Sequence, residues 1–230
     1  PYHVKAVKPL PSRKINKQVP LIDCFIAPCK EGCPIHQDIT TYLQLVEAGK
    51  YEEAMDVITE KNPLPFITGT ICAHACMGKC TRNFYESPVH IREMKLEAAQ
   101  NGYEALMNKL TAPAITKEGK AAVIGGGPAG MAAAYFLRRA GMAVTVFEKN
   151  DALGGVVRHV IPEFRIPGTS IHKYAALLEK MGVEVRLNTE VKDTAALKAE
   201  GFTTVILAVG ASEPGVLRLE QGEAKNALEF

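Results

Sequence analysis

The sequence predicts an α plus α/β protein: an all-helical first half, then an α/β second half built on a parallel sheet. Three observations carry that prediction. Apolar residues recur at helical spacing up to about residue 110, with no convincing strand among them. From Ala121 onward, short apolar runs rich in β-branched residues alternate with helical stretches, the pattern of parallel strands joined by crossover helices. Between the halves, at residues 111–116 around Pro113, the periodicity stops.

The bulk numbers bound the possibilities. A length of 230 residues favours one or two domains, and 47% hydrophobic content is ample for a packed core. A formal charge of +2 gives no argument for nucleic acid or an anionic membrane as partner. No apolar run approaches the roughly 20 residues needed to span a bilayer. Residues 1–20 hold five Lys or Arg and four Pro, with no acidic residue and no apolar stretch of the signal-peptide kind, and read as an extended basic linker. With no export signal, six cysteines point to a reducing, cytoplasmic compartment and to ligand duty rather than disulfides. The chain starts without Met and stops at Phe230 with no obvious terminus, so it is expected to be a piece of something longer.

Residues 21–37 are irregular. A helix is expected over 39–48, where Ile39, Tyr42, Leu43, Leu45 and Val46 fall at helical spacing, and Gly49 breaks it. A second follows over 51–60 with Ala54, Met55 and Ile58 on one face, stopped by Asn62-Pro63-Leu64-Pro65. Ser87-Pro88 is expected to open a long helix reaching about Leu110, with Ser87 as N-cap and Pro88 at the first helical position. Then come a strand at 121–124, a helix at 129–140 ended by Gly141, and a strand at 143–147, a βαβ unit of about 30 residues. A helix at 172–181 and strands at 183–187 and 204–208 complete the reading. The resulting division is a linker at 1–20, a helical domain at 21–112, and the first part of a Rossmann-like domain at 113–230.

The cysteines fall in two clusters, Cys24-x4-Cys29-x3-Cys33-Pro34 and Cys72-x3-Cys76-x3-Cys80. On one regular helix the outer thiols of the second cluster would stand roughly 12 Å apart, too far for one small inorganic centre to touch all three. Either the segment is not regular helix, or its cysteines serve two centres. The Cys-Pro ending of the first cluster is similar to the ferredoxin run, whose last cysteine ligates the other cluster. Two iron–sulfur centres with exchanged ligands are one reading. Structural zinc, with His36 or His74 completing a Cys3His site, is another, and buried unliganded thiols are the third.

Gly125-Gly126-Gly127-Pro128-Ala129-Gly130 follows a strand, opens a helix, and is trailed by Glu148 at the end of the next strand, the context of a dinucleotide fingerprint. Gly125 permits the tight turn, Gly127 lets backbone approach a pyrophosphate, and Gly130 lets helix and strand pack closely. The helix N-terminus favours the phosphates, and Glu148 is expected to accept both ribose hydroxyls and to repel a 2′-phosphate. His36, His74, His90, His159 and His172 show no catalytic partner in the sequence, and no hydrolase or phosphoryl-transfer motif is present.

With Asn62-Pro63-Leu64-Pro65 between them, the cysteine clusters resemble the iron–sulfur domain of the glutamate synthase small subunit and of dihydropyrimidine dehydrogenase. The string Asp23-Cys24-Phe25-Ile26-Ala27-Pro28-Cys29, with Gly69-Thr70-Ile71-Cys72, is most similar to the selenate reductase subunit branch of that family. The resemblance implies that Cys24, Cys29 and Cys80 serve one [4Fe–4S] cluster and Cys33, Cys72 and Cys76 another. Two positions depart from the family's pattern: Leu21 replaces a usual first cysteine, and Lys95 stands where a Gln or Glu is the usual fourth ligand of the second cluster. Asp23 is a conceivable substitute near the first. Glu148-Lys149, Gly154-Gly155 and the run 205–210 resemble a two-dinucleotide-binding flavoprotein. That implies an FAD site lined by Gly125, Gly127, Pro128, Ala129, Gly130, Glu148, Lys149, Gly154, Gly155, Val156, Arg165 and Val191, with Arg165 near the flavin ring. The family carries a second glycine fingerprint, for NAD(P)H, beyond this stretch, and residues 227–230 resemble the segment that leads into it.

The expectation is an electron-transfer fragment of an NAD(P)H-dependent FAD and iron–sulfur oxidoreductase, with up to two [4Fe–4S] clusters, that feeds an electron-accepting catalytic subunit or domain. Nucleic acid and membrane are not expected partners, and the fragment alone is expected to be inactive. The rival is a zinc-stabilised helical docking module attached to an NAD-sensing Rossmann domain.

Overall fold

The computed structural model describes residues 26–211. The basic linker, Leu21, Asp23, Cys24 and residues 227–230 lie outside the described residues. Helices come first: α1 (Pro28–Glu31), α2 (Ile39–Glu47), α3 (Tyr51–Thr59), α4 (Pro65–Ile71), α5 (Ala75–Gly78), a 3-10 turn at Thr81–Phe84, and α6 (Ile91–Lys109). The α/β part follows as β1 (Lys120–Ile124), α7 (Pro128–Arg139), β2 (Ala143–Phe147), α8 (Val156–His159), α9 (Gly168–Lys180), β3 (Glu184–Arg186), α10 (Thr194–Ala199) and β4 (Phe202–Leu207). The four strands are parallel in the order β3-β2-β1-β4, with Val123 in register with Val146 on one side and Ile206 on the other. Among the described residues no strand precedes Lys120 and no helix is long and apolar enough to cross a membrane.

α2 and α3 form a hairpin closed at Gly49, whose φ of 70° suits glycine. Their apolar stripes pack on α6, which buries Ile91, Lys95, Ala98, Ala99, Gly102, Tyr103 and Leu106 along one face. A Cβ on Gly102 would stand 2.5 Å from the carbonyl oxygen of Tyr51, so the absent side chain sets how closely α3 approaches α6.

Two expectations need correction here. The long helix starts at Ile91, not at Ser87: residues 87–90 are non-helical, Ser87 is exposed, and burial of Ile91 against Ala98 and α2 fixes the first turn. Asn62-Pro63-Leu64-Pro65 does end α3, but Pro65 also opens α4, which the β-branched and glycine content of residues 67–71 hides from a propensity reading. Asn62 holds that corner by accepting the Leu64 N–H at 3.1 Å and donating to Thr68 Oγ1 at 2.7 Å. α9 begins four residues before the expected position, and β4 two before. The short helices α1, α8 and α10 were not foreseen, although Asp193 accepting the Ala195 N–H at 2.8 Å is an ordinary N-cap signal.

Residues 110–119 carry neither helix nor strand, yet the core continues across them. Met55, Phe66, Ile67, Tyr103 and Leu106 pack in one cluster with Val123, Tyr135, Tyr174 and Leu178. Phe66 lies edge-on to both Tyr103 and Tyr174, and the Lys173 ammonium sits 4.8 Å and 4.6 Å from the Phe66 and Tyr103 ring centres. Tyr103 Oη donates to the Lys173 carbonyl at 2.8 Å, and Arg139 donates to the carbonyls of Thr59 and Glu60. The buried Tyr174 hydroxyl accepts the N–H groups of Phe66 and Ile67. These belong to the first turn of α4 and would otherwise lack partners.

Candidate functional site

The two cysteine-bearing segments face each other, because α1 packs on α5. Cys29 lies in α1, and Cys33 just beyond its end. Cys72 ends α4, Cys76 lies in α5, and Cys80 precedes the 3-10 turn. Residues 72–80 are not one helix. Cys72 and Cys80 are extended at ψ 138° and 127°, and His74 is left-handed at φ 44°, so the thiols are not strung along a single axis. All five described cysteines are free thiols; Cys76 is buried and the other four are half-buried.

Their electrostatic neighbours divide them. Burial pushes the Cys29 thiol up, backbone hydrogen bonds pull it back, and Cys80 and Asp38 add to the rise. Burial likewise raises Cys76, where Lys95 opposes the shift and Cys33 and Cys72 add to it. Lys95 itself, on α6, is held below the usual lysine range by burial, against the pull of Cys72, Cys76 and Cys33. Tyr42, 1% exposed, feels both groups: burial lifts it far above the usual tyrosine range, and Cys76, Cys33, Cys29 and Cys72 contribute. Among the described residues no three His, Cys, Asp or Glu side chains are grouped to hold a single metal ion. His36 is exposed and 3.9 Å from Glu31.

The second region sits at the carboxyl ends of β1 and β2. β1 runs into Gly125, at φ 106°, and Pro128 takes the first position of α7. A Cβ on Gly130 would stand 1.8 Å from the Gly125 carbonyl oxygen, whereas one on Gly127 would meet nothing nearer than the Gly155 Cα at 3.8 Å. The space beside Gly127 is thus a cradle that a side chain would fill. Gly154, at φ 123°, donates its N–H to the Gly126 carbonyl at 2.8 Å, seating the Gly154-Gly155 turn against the loop.

Glu148 is 4% exposed. Its Oε2 accepts the Gly126 N–H at 2.7 Å and its Oε1 accepts the Asn150 N–H at 2.9 Å. The ribose role expected of this carboxylate is joined by a structural one. It first clamps the loop to the end of β2, and each oxygen keeps one further acceptor position. A cleft of about 190 Å³ opens here, lined among others by Gly125, Phe147, Glu148, Lys149, Thr189 and Val191. Pro128, Ala129 and Gly130 form the first turn of α7, and Val156 begins α8 beside Gly155. Arg165 is exposed in the stretch before α9 and does not line the cleft. Thr189 was missed; its N–H donates to the Glu148 carbonyl at 2.8 Å, and the left-handed Asn188 just after β3 is the local signal for that turn. A larger cavity of about 630 Å³ lies between α9 and β3, lined by Leu153, Arg158, Ile171 and His172 among others, and Leu153 also packs against Gly126 of the glycine loop.

Comparison with known proteins matches both regions. Residues 13–106 match the family described as dihydropyrimidine dehydrogenase domain II, 4Fe-4S cluster, and residues 123–187 match the NAD(P)-binding Rossmann-like domain. The chain is 39% identical over 220 residues to "Putative oxidoreductase YgfK" of Escherichia coli K12, covering 95% of this chain and 21% of that protein. It is 32% identical over 215 residues to the NADPH-Fe(3+) oxidoreductase subunit beta of Geobacter sulfurreducens, covering 91% and 32% respectively. It is 33% identical over 193 residues to the glutamate synthase [NADPH] small chain of Mycobacterium tuberculosis, covering 83% and 40%. The chain thus spans between a fifth and two fifths of the length of these relatives. The cysteine-bearing helices thus match a 4Fe-4S domain family and the glycine loop a Rossmann-like one, and relatives similar across both parts include an oxidoreductase and a glutamate synthase small chain.

Proposed function

We propose that this chain is the electron-transfer segment of an NAD(P)H-dependent oxidoreductase, holding FAD at the glycine loop and two [4Fe–4S] clusters at the cysteines, and passing electrons to a partner domain or subunit. The observation that carries the reading is the shared core. Phe66 and Ile67 of α4 are pinned to Tyr174 of the α/β part, and the same α4 ends at Cys72. One rigid element therefore links a candidate cluster ligand to the dinucleotide domain.

The residues fit both groups. Thiols are the donors that iron–sulfur clusters take. Cys33, Cys72 and Cys76 gather around Lys95, while Cys29 and Cys80 are mutual neighbours. At the loop, the open space beside Gly127 admits a pyrophosphate, α7 offers its N-terminus to the phosphates, and Glu148 keeps acceptor capacity for ribose. When bound, flavin and clusters would supply the conversion of a two-electron donor into one-electron steps. The chain's own part is to hold them at fixed positions. Lys149 and Val191 border the cleft, and Arg165 is assigned to the flavin ring by family resemblance.

Protein prepared without oxygen should contain iron, acid-labile sulfide and flavin, with a broad shoulder near roughly 400 nm that bleaches on reduction. Zinc in place of iron overturns the cluster assignment. Tight nucleotide binding without any flavin overturns the FAD assignment.

A further inference from the structure

Lys95 is 6% exposed, a burial that lysine reaches rarely and then with an anionic partner. It lies on the inward stripe of α6, four residues after Ile91 and three before Ala98, both buried. The charged and titratable groups that act on it are Cys33 beyond α1, Cys72 at the end of α4, Cys76 in α5, and Arg92 one turn back on its own helix. Among the described residues no salt bridge joins it to a carboxylate. Ile91 and Ala98 of the same stripe pack in one cluster with Cys76, and Cys33 packs against it, so the sulfurs are the anionic groups at hand.

We propose that Lys95 is the fixed counter-charge of a three-thiolate iron–sulfur site formed by Cys33, Cys72 and Cys76, and not one of its ligands. This rests on the cluster assignment above. An ammonium has three donors and no lone pair to give iron. Three thiolates around a [4Fe–4S]2+ core sum to −1, and Lys95 brings the site to neutrality. Taking up one electron then leaves −1 rather than −2. Lys95 is a positioning residue in the electrostatic sense: it favours the reduced state of this cluster over that of the Cys29 and Cys80 site, which no buried lysine faces among the described residues.

The test is an EPR-monitored redox titration of the anaerobically prepared chain, with iron and sulfide analysis, for wild type, Lys95→Met, Lys95→Gln and Lys95→Arg. Removing the charge should shift the reduction equilibrium of one of two clusters toward the oxidised form by on the order of tenfold or more. Lys95→Arg should stay close to wild type. Loss of one cluster in Met and Gln but not Arg, with unchanged circular dichroism, also supports the role. Identical titrations in all four proteins overturn it, as does a nitrogen hyperfine coupling in wild type that vanishes in Lys95→Met. Unfolding of both neutral variants overturns it in favour of a structural role. Wild-type protein that holds no iron defeats the cluster assignment instead, and is seen before any variant is compared.

Discussion

A methyl group at Gly127 and one at Gly130 pose different problems. At Gly127 the protein has room, with nothing nearer than 3.8 Å, and the backbone lies outside the left-handed region. Gly127→Ala should therefore fold with wild-type stability and lose dinucleotide binding, because the methyl occupies the space the phosphates need. At Gly130 a Cβ would stand 1.8 Å from the Gly125 oxygen, so Gly130→Ala should cost about 1–3 kcal/mol. Thermal denaturation read beside nucleotide titration separates the two outcomes. These glycines were legible in the sequence, since a strand, a glycine triplet and a following acid specify their context. The loop-clamping role of Glu148 was not, because it depends on where Gly126 and Asn150 turn their N–H groups. The seclusion of Lys95 was equally hidden: its neighbours on α6 look like an ordinary mixed helix, and only packing reveals which face is turned inward.

At the scale of elements, α4 is the clearest case of tertiary context overriding local signals. Two prolines and a Thr-Gly-Thr stretch argue against helix, yet residues 65–71 are helical. Its first-turn N–H groups find their acceptor in a tyrosine more than 100 residues away in sequence. No local pattern could have announced that partnership. Tyr174→Phe removes the acceptor and leaves two buried N–H groups unpaired, and should destabilise the chain by about 1–3 kcal/mol in chemical denaturation. Because α4 ends at Cys72, the same variant should release iron faster under chelator than wild type. The amphipathic pair α2 and α3 and the strands β1 and β2 were legible to within a residue or two. In each, period and burial agree, and glycine or proline marks an end. The start of α6 was not, since Ser87-Pro88 offers a good local cap while the burial of Ile91 decides the outcome.

For the whole molecule, the proposed division of thiols between two clusters sets a stoichiometric expectation. Cys33→Ser and Cys29→Ser should each remove one cluster and leave the other, halving iron content, and the two variants should retain different EPR spectra. Equal loss of both signals from either substitution would mean a single shared centre. Six cysteines in two tight groups made ligand duty readable from the sequence. Their partition between two clusters rests on family resemblance; the bends at Cys72, His74 and Cys80 show only that the second group is not strung along one helix.

The core that runs unbroken past residues 110–119 makes that stretch a covering strap rather than a hinge. A protease that cuts there should yield two pieces that still travel as one on a sizing column and part only in denaturant. The distance between the cysteine groups and the glycine loop would then be fixed by interlocking aromatic rings, and not by the length of the thread that joins them.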